Sequence, residues 1–156
     1  MLANAPGAIR NGMDMRLLLP IDGSQCSQHA VEYVVASRPR FDAGAHRELH
    51  LAYVQSPVTG DVSHFVGGAQ VADNHREESG KALASAPHAF DVAGLPHAVH
   101  TTTGHRAEAL VRLAKRPECD QIAMRTHGRG AFAELLVGST TLRVLHHTKN
   151  PLLLVN

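Results

Sequence analysis

Short apolar runs alternate along the chain with segments whose apolar residues recur every three or four positions. The apolar runs predict strands that are covered on both faces, and the segments between them predict amphipathic helices. Strands are expected at residues 16–21, 48–54, 97–103, 121–124 and 151–155. Because strands and helices alternate, the pattern predicts a single α/β domain with a doubly wound, five-stranded parallel sheet.

The predicted helices have recognisable boundaries. Ser24 is expected to cap the first helix, which ends near Pro39. A second helix is predicted over about 69–90, after a long loop at 55–68 that is rich in glycine and proline. A third follows Gly104, and the last is predicted over 139–147 with Ser139 as its N-cap.

A glycine motif follows the fourth predicted strand. Arg125-Thr126-His127-Gly128 is separated by nine residues from Gly138-Ser139-Thr140-Thr141, which begins the last helix. Such a loop directs backbone N–H groups and the positive end of the helix dipole towards an anion, so the pattern favours a phosphate site. In a doubly wound sheet, ligands bind beyond the carboxyl ends of the strands. The alternative is a turn that only tethers the last helix, with its glycines serving backbone geometry.

A carboxylate ends the first predicted strand. Asp22 could accept hydrogen bonds from hydroxyl or amine donors of a ligand. It could equally form an Asx turn at the start of the first helix. The sequence leaves both roles open.

Composition narrows the classes of partner. The 156 residues are 44% hydrophobic and 19% charged, with 15 basic and 14 acidic side chains, which is typical of a globular domain. Aromatic residues make up only 4% and no basic stripe occurs, so nucleic-acid binding is not expected. No apolar run reaches the roughly 18 residues of a membrane helix, so no membrane association is expected.

The cysteines, the first residues of the chain and the histidines each add one expectation. Cys26 and Cys119 lack a Cys-x2-Cys spacing, which favours reduced thiols in a cytoplasmic protein. Residues 1–14 show no signal-peptide pattern and are expected to be a flexible tail, with the domain spanning 15–156. The twelve histidines show no metal-ligand spacing; the only adjacent pair is His146-His147, and these do not share a helix face.

Several of these segments together resemble the universal stress protein family, from about Met15 to Val155. The resemblance implies a Rossmann-like α/β domain with strand order 3-2-1-4-5 that is usually dimeric. One branch of the family binds ATP through Gly-x2-Gly-x9-Gly-(Ser/Thr), and another lacks the motif and does not. The matching segments are Asp22-Gly23-Ser24 with Ser27 and Ala30, Tyr53-Val54, Gly104 with Ala107-Glu108-Ala109, the glycine motif and Pro151 to Val155.

The resemblance also implies an ATP site at the carboxyl edge of the sheet. Asp22 would contact the adenosine, Val54 and Met124 would lie against the base, and the phosphates would lie along the glycine motif. Magnesium accompanying ATP is the only metal expected. The implied nucleotide-contacting residues are Pro20, Ile21, Asp22, Val54, Met124, Arg125, Gly128, Gly138, Ser139, Thr140 and Thr141.

One residue departs from the family motif, because Arg125 occupies the position of its first glycine. Arginine could crowd a ligand that lies against the backbone there. Its guanidinium could instead bind a phosphate, with a charge-assisted bond of roughly 1.5–3 kcal/mol. From the sequence we expect weaker, but not abolished, ATP binding.

Three functions follow from these observations. The first is a stress-response regulatory module that binds ATP with little or no turnover. The second is a dimeric interaction protein that binds no nucleotide, and the third is a slow ATPase with His127 as its candidate acid or base. No Walker or Gly-x-Ser-x-Gly sequence occurs, so no catalytic residue is assigned. The expected partners are an unknown protein and a second copy of the chain, joined through the apolar edge strand at 151–155.

Overall fold

Five parallel strands form one sheet in the order β3-β2-β1-β4-β5, which confirms the predicted topology. The computed structural model describes residues 15–37, 47–55, 80, 84–116, 118–125 and 138–155. The predicted tail at 1–14 lies outside these residues, as does the predicted loop after Gln55, which is the last residue of β2. The strands are β1 (Met15–Ile21), β2 (Arg47–Gln55), β3 (His97–Thr103), β4 (Gln121–Arg125) and β5 (Leu152–Val155).

The described helices overlap the predicted segments, and residues 69–79 and 81–83 of the second predicted helix lie outside the described residues. The helices are α1 (Gln25–Ala36), α2 (residues 84–92), α3 (Arg106–Lys115) and α4 (Ser139–His147). None of the helices in the described ranges is long and apolar enough to cross a membrane.

Burial on both faces of the sheet explains the continuous apolar run of β1. Leu17 and Leu19 pack on one face with residues of α1 and α2, including Val34 and Phe90. Leu18 packs on the other face with residues of α3 and α4. All three leucines are almost completely buried, because β1 is the central strand.

Candidate functional site

The carboxyl ends of β1, β2 and β4 open onto one cleft of about 340 Å³. The first residues of α1, α3 and α4 also line it. Three helix amino ends therefore converge on the edge of the sheet where doubly wound folds bind their ligands. The remaining lining residues, which the sequence did not predict for a nucleotide site, are Ser24, Ser27, Ala30, Ala52, Arg106 and Leu110.

Ten of the eleven residues that the sequence predicted for a nucleotide site line this cleft. The exception is Gly128, which lies outside the described residues together with His127. Pro20, Ile21 and Asp22 reach the cleft from the end of β1, and Met124 and Arg125 reach it from the end of β4. The structure thus brings together side chains that are about a hundred residues apart in sequence.

Asp22 is held by a tight turn between β1 and α1. Gly23 adopts a φ of 81°, a conformation that glycine reaches without strain. Oδ1 of Asp22 accepts hydrogen bonds from the backbone N of Ser24 at 3.0 Å and from its Oγ at 2.6 Å. The Asx turn that the sequence allowed is therefore present, and its carboxylate also lines the cleft.

The environment of Asp22 favours its charged form. Burial acts to raise the pKa of Asp22, but the hydrogen bonds from Ser24 and Ser27 and the charge of Arg106 outweigh it. The net effect is a pKa below the ordinary value of 3.8. Asp22 therefore carries a full negative charge into the cleft at neutral pH.

The amino end of α1 already has a cap. Ser24 Oγ accepts a hydrogen bond from the backbone N of Ser27 at 3.2 Å, which confirms the predicted N-cap. One N–H group of the first turn is therefore satisfied within the protein.

The amino end of α4 differs, because no side chain of the described residues caps it. Its N-cap is Gly138, so the prediction that Ser139 is the N-cap is wrong. Gly138 has an extended backbone, with φ −58° and ψ 151°, and its carbonyl accepts the first helical hydrogen bond from Leu142 N at 3.0 Å. The first turn contains no acidic residue. The backbone N–H groups of this turn therefore border the cleft as donors for an anion.

Sequence reasoning missed Arg106, the first residue of α3. Its Nη1 lies 3.7 Å from Asp22 Oδ2, and the residue lines the cleft. The signal for it was its position just after the predicted strand at 97–103, since that strand ends at the same edge of the sheet. Arg106 and Arg125 give the described part of the cleft two positive charges beside the negative charge of Asp22.

Arg125 contacts α1. Its Nη1 lies 2.7 Å from Nδ1 of His29. Its Nε is buried and has no hydrogen-bond acceptor among the described residues. The side chain is only half-buried as a whole.

A histidine pair away from the cleft was also missed. Nδ1 of His50, on β2, lies 2.9 Å from Nε2 of His100, on β3, and Nε2 of His50 lies 3.6 Å from Glu48 Oε1. Burial lowers the pKa of His50 below its ordinary value near 6.5; Glu48 partly opposes this, and the charges of His100 and Arg16 add to it. Among the described residues, no three His, Cys, Asp or Glu side chains gather closely enough to hold a metal ion.

Comparison with known proteins identifies one family. The model of the universal stress protein family matches residues 13–156. Universal stress protein MJ0531 of Methanocaldococcus jannaschii is 28% identical over 155 residues, which cover 94% of this chain and 86% of that protein.

Two solved structures show the same fold. Hypothetical protein MJ0577 superposes with a TM-score of 0.70 at 23% identity, covering 92% of this chain and 96% of that one. A universal stress protein in complex with cAMP superposes with a TM-score of 0.62 at 23% identity, covering 91% and 97%. At these identities the similarity establishes the fold.

Proposed function

The chain belongs to the universal stress protein family, and from this premise we propose that it is a regulatory module that binds ATP in the cleft with little or no turnover. The observation that carries the proposal is the uncapped amino end of α4, which borders the same cleft as Asp22. One site thus offers backbone N–H groups to an anionic part of a ligand and a carboxylate to a hydrogen-bond donor of the same ligand.

The chemistry of the cleft suits each part of an adenine nucleotide. Val54 and Met124 offer apolar side chains to the base, and the Asp22 carboxylate can accept from a hydroxyl or an amine. Gly138, Ser139 and Thr140 offer backbone N–H groups to the phosphates, with Gly128 proposed beside them. The complex of a related protein with cAMP supports an adenine nucleotide as the ligand.

The ionisable groups of the described cleft favour binding over hydrolysis. They are Asp22, Arg106 and Arg125. Asp22 is already hydrogen-bonded to Ser24 and paired with Arg106, and its lowered pKa makes it a weak base. Magnesium would enter with ATP rather than bind to a site of its own.

We propose that the protein forms a homodimer through β5. This strand lies at the edge of the sheet, and its Leu154 is 45% exposed. An apolar edge strand offers unpaired backbone groups to a second strand, and a second copy of the chain would cover it. The family is the basis for proposing a stress-response role and a cytoplasmic location, where the buried thiol of Cys119 would stay reduced.

Arg125 favours a second candidate function, a dimeric interaction protein that binds no nucleotide. It places a Cβ and a long side chain where the family motif has glycine, and it lines the cleft. On this account the site is closed to ATP and the exposed apolar residues of β5 and α4 serve protein contacts alone.

Calorimetric titration of ATP into purified, nucleotide-stripped protein tests the proposal, with phosphate release measured on the same sample. We expect saturable binding of one ATP per chain and phosphate release at the buffer rate. Absence of binding by folded protein would favour the interaction protein, and sustained phosphate release would favour the slow ATPase.

A further inference from the structure

Arg125 is held at one corner of its guanidinium group. Nη1 lies 2.7 Å from Nδ1 of His29. Two residues of α1 close to His29 line the same cleft as Arg125; they are Ser27 and Ala30. Arginine can only donate, so His29 must accept through an unprotonated Nδ1 and carry its proton on Nε2. His29 therefore holds the guanidinium in place by accepting this hydrogen bond.

The opposite edge of the same guanidinium has the geometry to bind a phosphate group. Its planar fork places the Nε–H beside one N–H of Nη2, a pair whose spacing matches two oxygens of a phosphate group. Nε is buried and has no acceptor among the described residues, which is unfavourable for a charged donor. Arg125 itself lines the cleft, so an anion bound there would supply the acceptor that this donor lacks among the described residues.

We infer that Arg125 selects phosphate-bearing ligands in this cleft and that His29 is its positioning residue; the inference rests on the proposed nucleotide function. The uncapped amino end of α4 borders the same cleft, so one phosphate chain can contact both groups. Adenosine has no phosphate and gains nothing from Arg125. The position of the guanidinium thus revises the weaker binding that the sequence alone led us to expect.

The test compares the affinities of ADP and adenosine by calorimetry in wild-type protein and in variants. We expect Arg125→Gly and Arg125→Ala each to weaken ADP binding about tenfold or more, the loss of a charge-assisted bond, and to leave adenosine binding within about twofold. Two variants are used because glycine at the end of β4 could destabilise the fold. Arg143→Ala is the matched control, since Arg143 is an exposed arginine of α4 outside the residues that line the cleft.

His29 is tested by exchange of its acceptor. In His29→Asn the side-chain oxygen takes a position close to that of Nδ1 and can accept from Arg125, whereas His29→Leu has no acceptor. We expect Asn to retain most of the preference for ADP over adenosine and Leu to lose it, with both variants binding adenosine as the wild type does. Rescue by Asn separates positioning of Arg125 from a general effect on packing.

The outcomes separate this inference from the function on which it rests. If the wild type binds ADP but the Arg125 variants bind it equally well or more tightly, Arg125 does not select phosphate, while nucleotide binding stands. If the Asn and Leu variants of His29 behave alike, the positioning role is wrong. If the wild type binds neither ADP nor adenosine, both the proposed function and this inference are overturned.

Discussion

Arg106 Nη1 lies 3.7 Å from Asp22 Oδ2, so an ion pair connects the amino end of α3 to the carboxyl end of β1 beside the cleft. The two side chains are 50% and 42% exposed. Solvent-exposed pairs contribute only about 0–1 kcal/mol to stability. The pair therefore matters mainly because it places a charged carboxylate and a guanidinium where the proposed ligand would bind.

Replacing Asp22 by Asn should weaken ATP binding with little cost in stability. Asn keeps an Oδ1 that can accept from the backbone N of Ser24, but it loses the charge that is proposed to hold the adenosine. We expect ATP affinity to fall about tenfold and the free energy of unfolding to change by less than about 1 kcal/mol. Equilibrium dialysis and urea denaturation measure the two effects. Asp91→Asn, at an exposed position of α2, is the control for the lost charge, and equal binding by both variants would contradict the role of Asp22.

Stability should fall in mild acid because of His50. The pKa of His50 is lower in the folded protein than its ordinary value near 6.5, so the unfolded chain binds the proton more tightly. The contribution of His50 to stability is then fully present at pH values above this ordinary pKa, and it decreases as the pH falls below it. We expect His50→Gln, which cannot titrate, to lose less stability between pH 7.5 and pH 5.5 than the wild type.

Urea denaturation at several pH values measures this difference. His88→Gln, at an exposed position of α2, serves as the control and should follow the wild type. A His50→Gln variant with the same pH dependence as the wild type would show that His50 is not responsible.

A charge on β5 should prevent dimer formation. Leu154 is 45% exposed on the edge strand, and Leu154→Lys would place an ammonium group in the proposed interface. We expect sedimentation velocity to show a dimer for the wild type and a monomer for Leu154→Lys at tens of micromolar. Val92→Lys, at a residue of α2 that is 76% exposed, should remain dimeric. A wild type that sediments only as a monomer would exclude this dimer.

The fold could be predicted from the sequence because its signals are local. The β-branched run of β3 gave its boundaries directly, and the leucine run of β1 indicated a strand buried on both faces. Ser24 was recognised as an N-cap from its position alone. The prediction that Ser139 is an N-cap was wrong, because the cap is Gly138, which has no side chain that would mark it as a cap in the sequence.

The contacts in the cleft could not be predicted from the sequence, because they join residues that are far apart along the chain. His29 and Arg125 are 96 residues apart, and only the packing of α1 against β4 brings them together. Arg106 reaches Asp22 because β3 and β1 end at the same edge of the sheet, with α3 starting there. His50 and His100 meet through the register of β2 and β3, in which Ala98 is opposite His50. A sequence pattern records none of these distances.

The most direct measurement of the central claim is the binding of ATP to Gly138→Asp beside Gly80→Asp. Gly138 has an extended backbone that aspartate adopts readily, and aspartate is a favourable N-cap, so this variant should fold while its charge and bulk exclude phosphate from α4. Gly80 is exposed, and an added Cβ there meets no atom of the described residues within 4 Å. Calorimetry should show wild-type ATP affinity for Gly80→Asp and no binding for folded Gly138→Asp. ATP binding by Gly138→Asp with wild-type affinity would contradict a nucleotide site in this cleft.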